Sequence, residues 1–162
     1  MPIDKMDYRR TIGTFATGVT IITTKLGEHS HGLTANAVSS VSLEPTLVLI
    51  CVDHTSDTFQ LLKESGAFCV NVLGEDQEHL SRKFATKLQE GEHRMSGVQY
   101  REGVTGAPIL DGCIAYLDCR IWQTYTAGDH DIFIGEVVDI GHAPDDAKPL
   151  LFYRGKYAKL VQ

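Results

Sequence analysis

Short apolar runs alternate with turn-forming residues along most of the chain, and few runs have helical spacing. GVTIITT at 18–24 is β-branched and reads as a strand. KLGEHSHG then supplies turn chemistry, and LTANAVSS returns as its hairpin partner. TLVLICV at 46–52 is a buried strand between Pro45 and the polar cluster DHTSD. AFCVNVL at 67–73 is strand-like again. Helical patterns are confined to three places. Residues 5–15 are compatible with an opening helix, which Gly13 weakens. SDTFQLLKES at 56–65 puts Phe59, Leu62 and Lys63 on one face, with Ser56 as its cap. DQEHLSRKFA at 76–85 spaces Leu80 and Phe84 four apart.

Residues 86–112 carry five glycines and mixed charge and read mostly as loop, with one short strand at 98–101. Two long alternating segments follow. CIAYLDCRIWQTY at 113–125 puts Cys113, Ala115, Leu117, Cys119 and Ile121 on one face. DIFIGEVVDI at 131–140 puts Ile132, Ile134, Val138 and Ile140 on one face, and AGDH joins the two segments as a hairpin. PLLFYRGKYAKLV offers two short strands around Arg154–Gly155. The count is about seven strands of ordinary length. The expectation is a single domain over 1–162, mainly β, an antiparallel barrel or sandwich with two or three short helices packed on it.

Composition narrows the function classes. The 162 residues, 43% hydrophobic, suit one domain with a real core. A net charge of −6 without a basic stripe disfavours nucleic acid. No apolar run reaches the ~18 residues a membrane helix needs, and MPIDKMDYRR has no apolar signal core. The expectation is a soluble cytoplasmic protein. Cys51, Cys69, Cys113 and Cys119 form no C-x-x-C pair and read as free buried thiols. His29-Ser30-His31 reads as a solvated hairpin tip, and no metal site is expected. There is no G-x-G-x-x-G, and GTFATG lacks the lysine of a P-loop. G-x-S-x-G and H-E-x-x-H are absent too.

What remains is rich in hydroxyls. Thr34, Asn36, Ser39, Ser40 and Ser42 precede the strand at 46–52, and Thr55, Ser56 and Thr58 follow it. Buried hydroxyls must be paired. Either the backbone takes them up, with Ser56 merely capping a helix, or they face a polar ligand whose phosphate sits at that helix start. Asn36 stands between two alanines, where it either satisfies a strand edge or meets a flat ring. His130 is either a turn histidine or a ligand contact. RGKY at 154–157 is either solvated or touches phosphate, around a glycine free to take positive φ.

FATGVTIITT, GLTANAVSSVSLEP, LSRKFA, AGDHDIFIGEV and PLLFYRGKY, in that order from about residue 8 to the C-terminus, resemble the short-chain flavin reductases. These are the reductase components of two-component flavin monooxygenases. The resemblance implies a Greek-key split β-barrel that forms a homodimer. It implies that Thr34, Ala35, Asn36, Ser39 and Ser40 line the flavin ring and ribityl chain. Asp53, Thr55, Ser56 and Thr58 would hold the phosphate end, Phe84 and Ala85 would lie along the cofactor, and Tyr153, Arg154, Gly155, Lys156 and Tyr157 would close the pocket. His130 would face the nicotinamide. The implied reaction is hydride transfer from NADH, or NADPH, to N5 of FMN or FAD. Reduced flavin would then pass to a partner oxygenase. Asp53 and Asp57 depart from a phosphate site, since like charge there costs affinity, and the choice between FMN and FAD stays open. A tight flavin-binding electron carrier or sensor is the alternative.

Overall fold

The computed structural model describes residues 1–161. In chain order its elements are α1 (Lys5–Ile12), β1 (Thr17–Gly18), β2 (Thr20–Leu26), β3 (His29–Ala35), β4 (Val38–Leu43) and β5 (Thr46–Asp53). Then come α2 (Phe59–Ser65), β6 (Ala67–Val72), α3 (Glu78–Ala85), β7 (Tyr100–Glu102) and β8 (Pro108–Leu110). The chain ends with β9 (Ala115–Ala127), β10 (His130–His142), β11 (Leu150–Tyr153) and β12 (Lys156–Lys159). Seven strands make one antiparallel sheet in the order β3-β2-β6-β9-β10-β5-β4. Its two edges, β3 and β4, are consecutive in the chain. Two smaller sheets, β1-β11-β12 and β7-β8, pack beside it. The mainly β, antiparallel architecture with short helices is therefore the one expected.

Burial follows from this topology. Ile22, Ile50, Val52, Phe68 and Phe133 are fully buried and form the barrel interior. Leu62 of α2 is buried in the same core. The other face of β2 is buried as well. Ile21 packs with Val19, Leu73, Phe84, Leu110 and Leu150 in a second cluster, which joins α3 and the C-terminal hairpin to the sheet. A strand covered on both faces reads as an unbroken apolar and threonine run rather than an alternation, and TIITT at 20–24 does so.

Four details differ from the sequence reading. LTANAVSS is not one strand. It breaks at Asn36-Ala37, so its first half pairs with β2 and its second half with β5. The loop at 86–112 holds a whole hairpin, β7–β8, whose second strand is fully buried. The helix expected from Ser56 starts at Phe59, and Thr58 at its cap position makes no side-chain cap bond. Finally, β10 buries Asp131, Phe133 and Gly135, the face opposite to Ile132 and Ile134. Gly135 lies there because a Cβ would come within 2.6 Å of Phe68 Cζ and 2.8 Å of Cys119 Cβ. Register shifts at Ile134/Gly135 and Val137/Asp139 leave Trp122 and Val138 without a ladder partner. These bulges break the period-2 pattern, and Ile140 stands 64% exposed.

Asn71, fully buried on β6, ties the β7–β8 hairpin to the sheet. Its amide donates to Ile21 O and Thr23 Oγ1, both at 3.1 Å, and its Oδ1 accepts from Leu110 N at 2.8 Å. Asn71→Ala leaves Leu110 N–H buried without an acceptor, which costs about 1–3 kcal/mol. Urea unfolding is expected to show a lower midpoint with an unchanged slope.

Candidate active site

A groove passes the break at Asn36-Ala37, along β3 on one side and along β4 and β5 on the other. Three cavities share residues along it. The first, of about 420 Å³, lies between Gly32–Thr34 of β3, the loop Thr55–Thr58, and Phe84–Lys87 with Arg94. The second, about 180 Å³, shares Thr34 and Ala85 with the first and adds Ala35, Asn36, Ser81 and Tyr157. The third, about 580 Å³, shares Asn36 and Phe152 with the second and is mostly apolar, with Ile12, Phe15, Val38 and Leu49 in its walls.

The polar groups along this path are held by the second layer. Thr34 Oγ1 donates to Ser81 O at 2.6 Å, so α3 is clamped to β3. Ser81 Oγ and Tyr157 OH lie 2.6 Å apart, which joins α3 to the C-terminal hairpin. Gly32 makes the close approach possible, because a Cβ there would meet Ile22 O at 2.9 Å and Phe84 Cε1 at 3.0 Å. The Arg154-Gly155 turn has φ of 52° and 76°, the two left-handed residues of a type I′ hairpin turn. Arg154 N donates to Gly13 O at 2.9 Å, which brings the C-cap of α1 against this turn at the third cavity.

Charge is graded along the groove. The apolar third cavity has one cation at its rim, Arg9. The first cavity has Lys87, Arg94 and Asp57. Arg94 is only 7% exposed. Its Nη1 donates to Lys83 O and Thr86 O, both at 2.7 Å, and its Nε is buried without a partner. Burial lowers its pKa, and the Asp57 carboxylate opposes that shift. His31, expected at a solvated tip, is instead 5% exposed inside β3, with Nδ1 2.7 Å from Thr58 Oγ1. Burial first, and the Arg94 charge second, push it down to about 4.

The structure brings together Thr34, Ala35, Asn36, Ser39, Thr55, Ser56, Thr58, Phe84, Ala85, Gly155 and Tyr157 on this path. Phe84 contributes little surface, since it is buried in the second core cluster. Ser40, Asp53, Tyr153, Arg154, Lys156 and His130 line none of the three cavities. Ser40 is exposed on β4. Asp53 accepts from Thr55 N and Thr55 Oγ1, both at 2.8 Å, and these bonds hold its carboxyl below the usual range. His130 pairs with Asp53 across the ladder, and its Nδ1 lies 2.7 Å from Asp129 Oδ1. Arg94, Lys87, Ser81 and the α1 residues escaped the sequence reading. Arg94 sits in EGEHRM, a charged stretch with no periodicity, and only burial distinguishes it.

The flavin reductase like domain matches residues 12–161. The chain belongs to this family. The reductase subunit HsaB of a flavin-dependent monooxygenase from Mycobacterium tuberculosis (strain H37Rv) is 38% identical over 96% of this chain and 82% of its own. The NADH:FAD oxidoreductase SgcE6 of Streptomyces globisporus superposes with a TM-score of 0.93 at 38% identity, covering 100% of this chain and 96% of that one. SgcE6 has also been solved with NAD and FAD fragments. The flavin reductase PheA2 superposes with a TM-score of 0.90 at 41% identity, covering 99% of this chain and all of the other. These three relatives each match 96% or more of this flavin reductase-like chain.

The His31 geometry has a pH consequence. Its folded-state pKa of about 4 lies below the ordinary 6.5, so the unfolded chain takes up the proton first as pH falls. The contribution of His31 to stability is complete above pH 6.5 and is lost as pH falls toward 4. His31→Asn is expected to show a shallower loss of urea midpoint across that window than the wild type.

Proposed function

We propose that this chain is an NADH-dependent flavin reductase that passes reduced FMN or FAD to a separate oxygenase. The observation that carries the reading is the graded groove: an apolar slot at one end, an amide and hydroxyls between, and a buried arginine at the other. That order matches an isoalloxazine, a ribityl chain and a phosphate. When bound, the flavin supplies N5 as acceptor of the hydride from C4 of the nicotinamide. The chain's own residues position the reactants and exclude water rather than supply an acid or base. Asn36 can donate and accept at the ring edge, and Ala35 and Ala37 leave room for a flat ring. Thr34, Ser39 and Tyr157 offer hydroxyls along the ribityl chain, and buried Ser81 holds the Tyr157 hydroxyl in place. Thr55, Ser56 and Arg94 serve the phosphate, and Thr58, 1% exposed with its hydroxyl against His31, fixes the loop that carries them. Asp57 is the one carboxylate in that cavity, and Arg94 and Lys87 outweigh it.

His130 is assigned to orienting the nicotinamide. It is held by Asp129 and starts β10 opposite Asp53, the last residue of β5, from which the chain leads into Thr55. A homodimer is part of the reading. Phe15 is 73% exposed beside the third cavity, and Leu43, Trp122, Tyr125 and Ile140 add apolar surface that a second copy would cover. NADPH is the secondary donor. Cytoplasmic location fits the four free cysteines. Among the described residues no helix is long and apolar enough to cross a membrane.

Mixing protein, NADH and excess FMN or FAD is expected to oxidise many equivalents of NADH per chain. A single stoichiometric reduction would instead favour a tight flavin carrier. His130→Ala is expected to raise the KM for NADH about tenfold, with flavin affinity changed less than about twofold. Equal losses in both would remove that role. Light scattering is expected to give twice the mass of one chain.

A further inference from the structure

The groove does not end at Arg94. A fourth cavity, about 220 Å³, lies beyond it and shares Thr86, Lys87 and Arg94 with the first. Lys83 and His93 line only this distal space, with Leu88 and Glu92. Three cations thus converge at one end of a chain whose net charge is −6. Arg94 stands at the junction. Its Nη1 is fixed by two carbonyls and its guanidinium lies over the Phe84 ring at 5.9 Å. Among the described residues its other terminal nitrogen has no protein acceptor. A monophosphate held beside Arg94 would leave Lys83 and His93, which line only the distal cavity, facing water. A pyrophosphate would pass Arg94 and carry a nucleoside into the distal space, where Leu88 is half-buried and His93 offers a ring to stack on.

We infer that this reductase takes FAD in preference to FMN, with the adenosine half of FAD in the cavity between α3 and the Lys87–Arg94 segment. The inference rests on the flavin reductase reading and on the phosphate lying at Arg94. The same adenosine diphosphate chemistry is carried by NADH, so the test must separate the two sources.

Calorimetric titration of the wild type with FAD, FMN and riboflavin is expected to give FAD a dissociation constant about tenfold below that of FMN, with riboflavin weakest. The double variant Lys83→Ala, His93→Ala changes only exposed side chains of the distal cavity. It is expected to weaken FAD about tenfold, as loss of one hydrogen bond to a charged group would. FMN affinity and the KM for NADH should stay within about twofold. Lys83→Arg should retain FAD affinity. Equal wild-type affinities for FAD and FMN, both above riboflavin, would overturn this inference and leave the reductase reading intact. So would a double variant that weakens NADH instead of FAD. Failure of the wild type to bind any flavin would remove the reductase reading itself, and this inference with it.

Discussion

Two residues, Asn36 and Ala37, join the two outermost strands of a seven-stranded sheet. Three peptide links reach at most about 11 Å. The sheet therefore has to roll until its edges nearly meet. They do not pair along a ladder: each edge strand already has its one partner, β2 for β3 and β5 for β4. What remains between them is a seam. Ala37 O accepts from Cys51 N at 3.2 Å, which ties the crossing point to β5. The cavities lie on either side of this crossing point: the first two between β3 and α3, the third against β4, β5 and α1, with Asn36 shared between the second and the third.

An open seam would expose unpaired edge groups. The second layer manages that. α3 covers β3 through the Thr34–Ser81 bond and the Phe84–Gly32 contact, and the C-terminal hairpin covers α3 through Tyr157. Because β2 is buried on both faces, the layer is part of the core rather than an attachment. The side chains of the middle cavity are therefore fixed by the same contacts that stabilise the fold. Rigid positioning of this kind is what a reaction without protein acid–base chemistry requires.

Electrostatics and shape change along the seam in opposite senses. The α1 end is apolar and wide, and the α3 end is narrow and cationic. On an acidic chain that local reversal of sign sets the two ends of the groove apart electrostatically. The apolar end is also where Phe15 stands exposed beside the third cavity.

Much of this was legible in the residues. β-branched runs, turn residues and the order of five motifs were enough for an antiparallel β domain and its family, because those signals are local. The hydroxyls of Thr34, Ser39, Thr55 and Ser56 stood out because polar groups beside a core strand need partners. Three matters were decided only by tertiary structure. A period of two says that strand faces alternate but not which face is inside, so Phe133 and Gly135, not Ile132 and Ile134, fill the core against Phe68. LTANAVSS has no residue that must break a strand, and it breaks because its halves pair with strands that are far apart in the sheet. Arg94 and His31 lie in stretches that look solvated, and they are buried because α3 and the loop before α2 close over them. Which residues meet across a rolled sheet depends on contacts between distant segments, and no short window of the chain contains that information.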